Sequence, residues 1–264
     1  MAEARYAFGD TAAAASRLEL LAEVFAPPSR SLLGTVAGRP VELAVDLGCG
    51  PGFSTRLVGS EIRPRGLAGM DLSEAFLDRA RTHSPEVAWH RHDVTAVPFP
   101  TGPADLLFAR LVLAHLPRPE AVLGSWLTQL RPDGHLLVEE DEDIVADHPV
   151  LATYEDMAAD LVAHRGGDLY VGRRLAHWEP PAGFRAVVKR VYDHRVPVPV
   201  AARMFSMNFE TWRGDDYVVA RYSARELDAM GLELGRLSRS DEAGAVTFRI
   251  RQVSYLRSGT PPRA

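Results

Sequence analysis

Among 264 residues there is one cysteine, Cys49, so no disulfide can close within the chain. That fits a reducing compartment. No run reaches the roughly 18 apolar residues that a membrane-spanning helix needs. The N-terminal stretch MAEARYAFGD carries acids and no apolar segment, so a signal peptide is not expected either. A cytoplasmic protein without a membrane partner is the expectation. Positive charge is also scarce: 30 Lys and Arg stand against 35 Asp and Glu, a net charge of -5. Proteins that neutralise phosphates carry a basic patch, so nucleic acid is not an expected partner.

What is present is a 46% hydrophobic chain, long enough for one large α/β domain. Apolar residues at helical spacing (Leu18, Leu21, Ala22, Phe25) predict a helix over residues 11–25, ended by Pro27 and Pro28. Short buried runs over residues 41–47, 66–70, 87–92, 104–109 and 135–140 read as strands. Helical patterns over 53–60, 73–81 and 120–130 separate them. Residues 131–134, Arg-Pro-Asp-Gly, read as a turn before the fifth strand. Strand and helix in alternation predict a parallel sheet with helices on both faces. Beyond residue 146 the pattern changes. Residues 147–178 are helical in composition, 184–196 and 245–256 have strand character, 197–219 read as irregular, and 223–230 as a capped helix. The expected fold is α/β: a Rossmann-like doubly wound sheet of mainly parallel strands with an antiparallel last strand. An N-terminal helical cap over 1–40 precedes a core over 41–264. Helical insertions about 144–180 and 197–222 would roof the substrate.

The densest motif is Asp46-Leu47-Gly48-Cys49-Gly50-Pro51-Gly52, between a buried strand and a helix. Glycines let the backbone turn sharply and approach a ligand, and the helix start offers free N–H groups. The dinucleotide spacing G-x-G-x-x-G would need glycine at position 53, where Phe53 stands. The phosphate-loop spacing is absent, because no Gly-Lys-Ser/Thr follows. Cys49 has no histidine near it in sequence and reads as a small packing residue.

With these residues in order, the chain resembles the class I S-adenosylmethionine-dependent methyltransferases of small-molecule type. The resemblance is close over residues 41–140 and looser beyond. It implies S-adenosylmethionine as methyl donor, S-adenosylhomocysteine as product and a small-molecule acceptor. It places Asp46, Gly48, Cys49, Gly50 and Gly52 in the donor cradle and Asp71, with Leu72, at the ribose hydroxyls. Asp93 and Val94 fall at the adenine, and Arg110 at the methionine end. Tyr6 would reach the methionyl group from the N-terminal segment. No metal is implied, since Arg110 stands where metal-dependent relatives place an acid. The protein is expected as a monomer or homodimer.

Acceptor chemistry is read more openly. His115, in Leu113-Ala114-His115-Leu116-Pro117, is either a base or a histidine packed under the sheet edge with one hydrogen bond. The acids of residues 139–143 either form a solvated cluster or attract a cationic amine and repel anions. Glu139 and Glu140 are the members able to point inward, and Glu139 is the second candidate for proton transfer. Met204, Phe205, Met207, Phe209 and Trp212 offer an apolar acceptor wall or a lid or dimer contact. Oxygen is favoured over nitrogen or carbon as acceptor. The same fold could instead hold the sulfonium compound and catalyse a cyclisation or rearrangement.

Overall fold

In the computed structural model, which describes residues 12–259, the chain enters through two helices, α1 (Ala12–Val24) and α2 (Ala26–Leu33). Five parallel strands follow: β1 (Leu43–Leu47), β2 (Gly66–Asp71), β3 (Ala88–Arg91), β4 (Ala104–Arg110) and β5 (Leu130–Ala146). They alternate with α3 (Phe53–Ile62), α4 (Glu74–His83) and α5 (Pro119–Leu127), and a 3-10 turn, Leu113–His115, follows β4. Then come α6 (Pro149–His164), α7 (Gly172–His177), β6 (Phe184–Pro197), α8 (Val198–Trp212), α9 (Asp216–Arg221), α10 (Ala224–Leu237) and β7 (Ala245–Arg257). The sheet runs β3-β2-β1-β4-β5-β7-β6, with β7 antiparallel to both neighbours. This is the expected Rossmann-like arrangement.

Strand burial explains the layering. Alternate residues of β1, β4 and β5 face opposite ways. Ala44, Leu106, Phe108 and Leu137 meet Leu32, Leu33 and Val58 from α2 and α3. Val45, Leu47, Leu107, Leu136 and Val138 meet Leu123, Trp126 and Leu127 from α5. A further core joins Phe25 to α6, α8, α10 and the far end of β7, in the segments expected to form a roof over the substrate.

Four local expectations are corrected. Pro27 and Pro28 do not end the helical stretch; they lie in the first turn of α2, where a missing N–H costs nothing. Residues 197–219 are not irregular. Pro197 caps α8 and Pro199 sits in its first turn, and Val198, Ala201, Ala202, Phe205, Phe209 and Trp212 are buried at helical spacing. The turn at residues 131–134 is a bulge within β5: Leu130 pairs with Ala104 and His135 with Leu106, and Asp133 takes φ 61°. The fifth strand is also longer than expected, running on to Ala146 beside β7.

Candidate functional site

Sheet order reverses between β1 and β4, and a crevice opens there at the carboxyl ends of the strands. Asp46, Gly48, Cys49, Gly50 and Gly52 lie at the end of β1 and just past it. Asp71 and Leu72 lie at the end of β2, Asp93 and Val94 past β3, and Arg110 ends β4. The structure therefore gathers them along one edge. Tyr6 falls outside the described residues.

The turn after β1 needs its glycines. Gly48, Gly50 and Gly52 have φ of 67°, 53° and 85°, a region that favours residues without a Cβ. A Cβ on Gly48 would stand 2.6 Å from Val112 Cγ2, and one on Gly52 2.6 Å from Trp89 Cη2. Gly50 differs: a Cβ there would meet only Leu18 Cδ1 of α1, at 3.6 Å. Leu18 also packs on Phe76, so α1 lies across the turn. Cys49 is buried, and its N–H donates to Met70 O at 2.9 Å. Burial, with Asp46 and Asp71 near, pushes its thiol well up, which suits packing and not nucleophilic attack.

Asp71 holds this edge together. Gly50 N–H donates to Oδ2 and Ser73 N–H to Oδ1, each at 2.8 Å. Ser73 in turn caps α4 by accepting from Phe76 N–H at 3.2 Å. The carboxylate is an acceptor-only group, which suits a partner rich in hydroxyl donors such as a vicinal diol. Beside it Leu72 leaves an apolar side chain 42% exposed. Asp93 is exposed; its Oδ1 accepts from Thr95 N and Oγ1 at 2.9 and 2.7 Å. Val94 is buried, and its carbonyl accepts from Trp126 Nε1 at 2.7 Å.

Asp46 and Arg110 are more deeply engaged than their sequence positions suggest. Asp46 Oδ2 accepts from Ser54 Oγ at 2.6 Å and Thr55 Oγ1 at 2.7 Å, tying β1 to α3. Burial pushes its carboxyl up to about 6. Arg110 donates to Ser29 Oγ at 3.2 Å and feels the charges of Glu139 and Asp46. Glu139 Oε2 accepts from Gln252 Nε2 at 2.9 Å, and Gln252 also donates to Pro28 O. Burial raises Glu139, and Arg110 and Arg190 partly offset this. Glu139 is thus part of a charged layer beneath α2.

The acid run is not a solvated cluster: Glu139, Glu140 and Asp141 are 1%, 0% and 6% exposed. Glu140 faces the other side. Its Oε1 accepts from Val112 N at 2.8 Å and Leu113 N at 2.7 Å, and its Oε2 lies 3.4 Å from Ala114 N. It therefore pins the 3-10 turn that carries His115. Burial pushes Glu140 up to about 8, against the pull of those N–H groups. His115 is pushed down to about 4 by burial and by Arg17 and Arg165, so it is neutral at pH 7. In the roof, Tyr154 is stacked on Phe205 at 4.4 Å and its hydroxyl accepts from Asn208 Nδ2 at 2.6 Å. Three contributors escaped the sequence reading. Leu18 reads only as an apolar residue at helical spacing, and Trp89 and Glu155, the latter 5% exposed, belong to no motif.

The model of the methyltransferase domain family matches residues 45–138, the segment that builds this edge. Trans-aconitate 2-methyltransferase of Sinorhizobium medicae is 34% identical over 133 residues, 50% of this chain and 51% of that protein. The protein of the same name in Methylobacterium radiotolerans is 33% identical over 158 residues, 60% of each chain. The chain spans about half the length of the first curated relatives it matches. The crystal structure of YcgJ from Bacillus subtilis superposes with TM-score 0.53 over 88% of this chain and 99% of that one, at 12% identity. The strand order and the glycine turn agree with these likenesses, and residues 45–138 form a methyltransferase domain with the Rossmann-like fold of the class I S-adenosylmethionine-dependent enzymes.

Proposed function

We propose that the protein transfers a methyl group from S-adenosylmethionine to a small molecule bound under α6 and α8. The observation that carries this is the cradle itself. Gly50, open toward α1, is hydrogen-bonded to the Asp71 carboxylate, and apolar Leu72 and Asp93 lie along the same edge. These residues fit an adenosyl group. The turn would hold the methionyl part, Asp71 the ribose diol, and Leu72, Asp93 and Val94 the adenine. S-adenosylmethionine supplies an electrophilic methyl group when bound. The chain's own work is to align the acceptor and to keep water out. Leu18, lying on Gly50 and Phe76, covers the crevice from α1. Arg110, held between Asp46 and Glu139, sets the charge at the end of β4. In this reading Glu139 fixes Arg110 and does not itself move a proton. His115, kept neutral, can accept a hydrogen bond or a proton from the acceptor side.

The curated relatives take their name from trans-aconitate, a tricarboxylate. Here such an anion would meet buried acids in β5 and α6, so methyl transfer is carried over and the acceptor is not. Titration calorimetry with S-adenosylhomocysteine tests the reading. Saturable binding in the micromolar range is expected, and no heat at millimolar ligand would end it.

A further inference from the structure

Five consecutive acids, Glu139 to Asp143, lie on β5 beside the crevice, and the structure gives four of them a partner. Glu139 accepts from Gln252 with Arg110 near, and Glu140 accepts the N–H groups of the 3-10 turn. Glu142 pairs with Arg251, and Asp143 with Arg173 at 3.0 Å. Asp141 has none among the described residues. It is 6% exposed, and its Oδ1 is buried without a hydrogen-bond donor. On α6, Glu155 is 5% exposed, and among the described residues it too forms no hydrogen bond or ion pair. Glu155 feels the charge of Asp141, Asp141 feels that of Glu139, and among the described residues no cation offsets either.

Backbone contacts bring the neighbourhood of Asp141 to the 3-10 turn. A Cβ on Gly172, the first residue of α7, would stand 2.7 Å from Asp141 O. The loop before it, Gly166 to Val171, is anchored on the 3-10 turn by Asp168 N–H donating to Ala114 O at 2.9 Å. So β5, the turn carrying His115, the Tyr170 loop and α6 converge. Tyr170 is half-buried there and feels both Glu155 and Asp141.

We infer that Asp141 and Glu155 bind the ammonium group of the methyl acceptor, which makes the acceptor an amine. This rests on the methyltransferase reading and gives it a substrate class. Two buried carboxyl groups without a cation destabilise a fold unless something satisfies them. Burial pushes Asp141 up to about 7 and Glu155 well up, so the empty pair holds protons and a cation turns it back to carboxylate. Among the described residues no three His, Cys, Asp or Glu gather as metal ligands, so the pair suits an organic cation better than a divalent metal. The proton balance is simple. The acceptor arrives as an ammonium ion, and one carboxylate takes a proton from its nitrogen. The freed lone pair forms the new C–N bond while the C–S electron pair stays with sulfur. The product leaves as an N-methylammonium ion, and the carboxyl proton returns to water. The aromatic wall of Tyr154, Phe205 and Trp212 suits an apolar body on the amine.

The test compares three probes by calorimetry in the presence of S-adenosylhomocysteine: phenethylamine, phenethyl alcohol and trans-aconitate. The amine is expected to bind at least tenfold tighter than the other two. Asp141→Asn and Glu155→Gln, which keep size and remove charge, should each weaken amine binding at least tenfold. Both variants should hold S-adenosylhomocysteine within twofold of the unchanged protein, which also shows that they are folded. Equal or tighter binding of the alcohol or of trans-aconitate would overturn the inference. So would amine binding that ignores both substitutions. Failure of S-adenosylhomocysteine to bind strikes the methyltransferase reading alone, because amine selectivity is then measured on the free protein.

Discussion

Asp71 accepts from Gly50 and Ser73, which joins the glycine turn to the start of α4, and in the proposed function the same carboxylate would hold the ribose diol. Asp71→Ala should raise the Kd for S-adenosylhomocysteine at least tenfold, about 1.4 kcal/mol. Calorimetry reads this directly, and an unchanged Kd would show that the carboxylate is no ligand. The position of Asp71 was legible because a strand end followed by a helix cap is a local pattern. Gly48, Gly50 and Gly52 were legible for the same reason. The state of Asp46 was not: Ser54 and Thr55 lie eight and nine residues on, and only the first turn of α3 brings their hydroxyls to its oxygen.

Among the elements, the short 3-10 turn depends most on a distant residue. Its leading N–H groups have no helical partner, and Glu140, 28 and 27 residues further along the chain, accepts from Val112 and Leu113. Glu140→Ala would bury two donors without an acceptor, at roughly 1–3 kcal/mol each. Tm should fall by about 5–15 °C. Binding of S-adenosylhomocysteine should weaken too, because Val112 backs Gly48. A Tm within a degree of the unchanged protein would show that the N–H groups find water instead. Elements buried on both faces, such as β1 and β4, were plain in the sequence. Helix α8 was not, since its leading prolines read as breaks until the roof core supplies the packing that makes it a helix.

Across the whole molecule, buried titratable groups set the pH response. Asp46, Asp141 and Glu140 keep protons up to about 6, 7 and 8 in the folded state, while in the unfolded chain they release them near pH 4. The folded state binds more protons over that range, so these groups make stability fall as pH rises. His115 and His135 act the other way. Both are pushed down to about 4, stay neutral when folded and charge in the unfolded chain below about pH 6.5, so they make stability fall as pH drops. The two effects oppose each other between about pH 4.5 and 6.5, and above that only the acids remain. Three acids outweigh two histidines within that window, so Tm should decline from about pH 5 toward pH 8.5, as thermal melts across buffers would show. A flat profile from pH 6 to 8.5 would mean that the acids are solvated. Among the described residues no helix is long and apolar enough to cross a membrane.

The amino-acid sequence alone determined the strand–helix alternation, the glycine turn and the acids that follow β2 and β3. Each of these is written in neighbouring residues, through periodicity, caps and φ requirements. Only the tertiary structure decided which acids are buried and which are paired. Glu139, Glu140, Asp141, Glu142 and Asp143 are nearly alike as letters. Their fates diverge because strand alternation and the bulge at residues 141–143 aim them at different neighbours. Desolvation and pairing depend on what lies across space, and no local pattern records that Asp141 is buried without a donor to its Oδ1 while Glu142 meets Arg251.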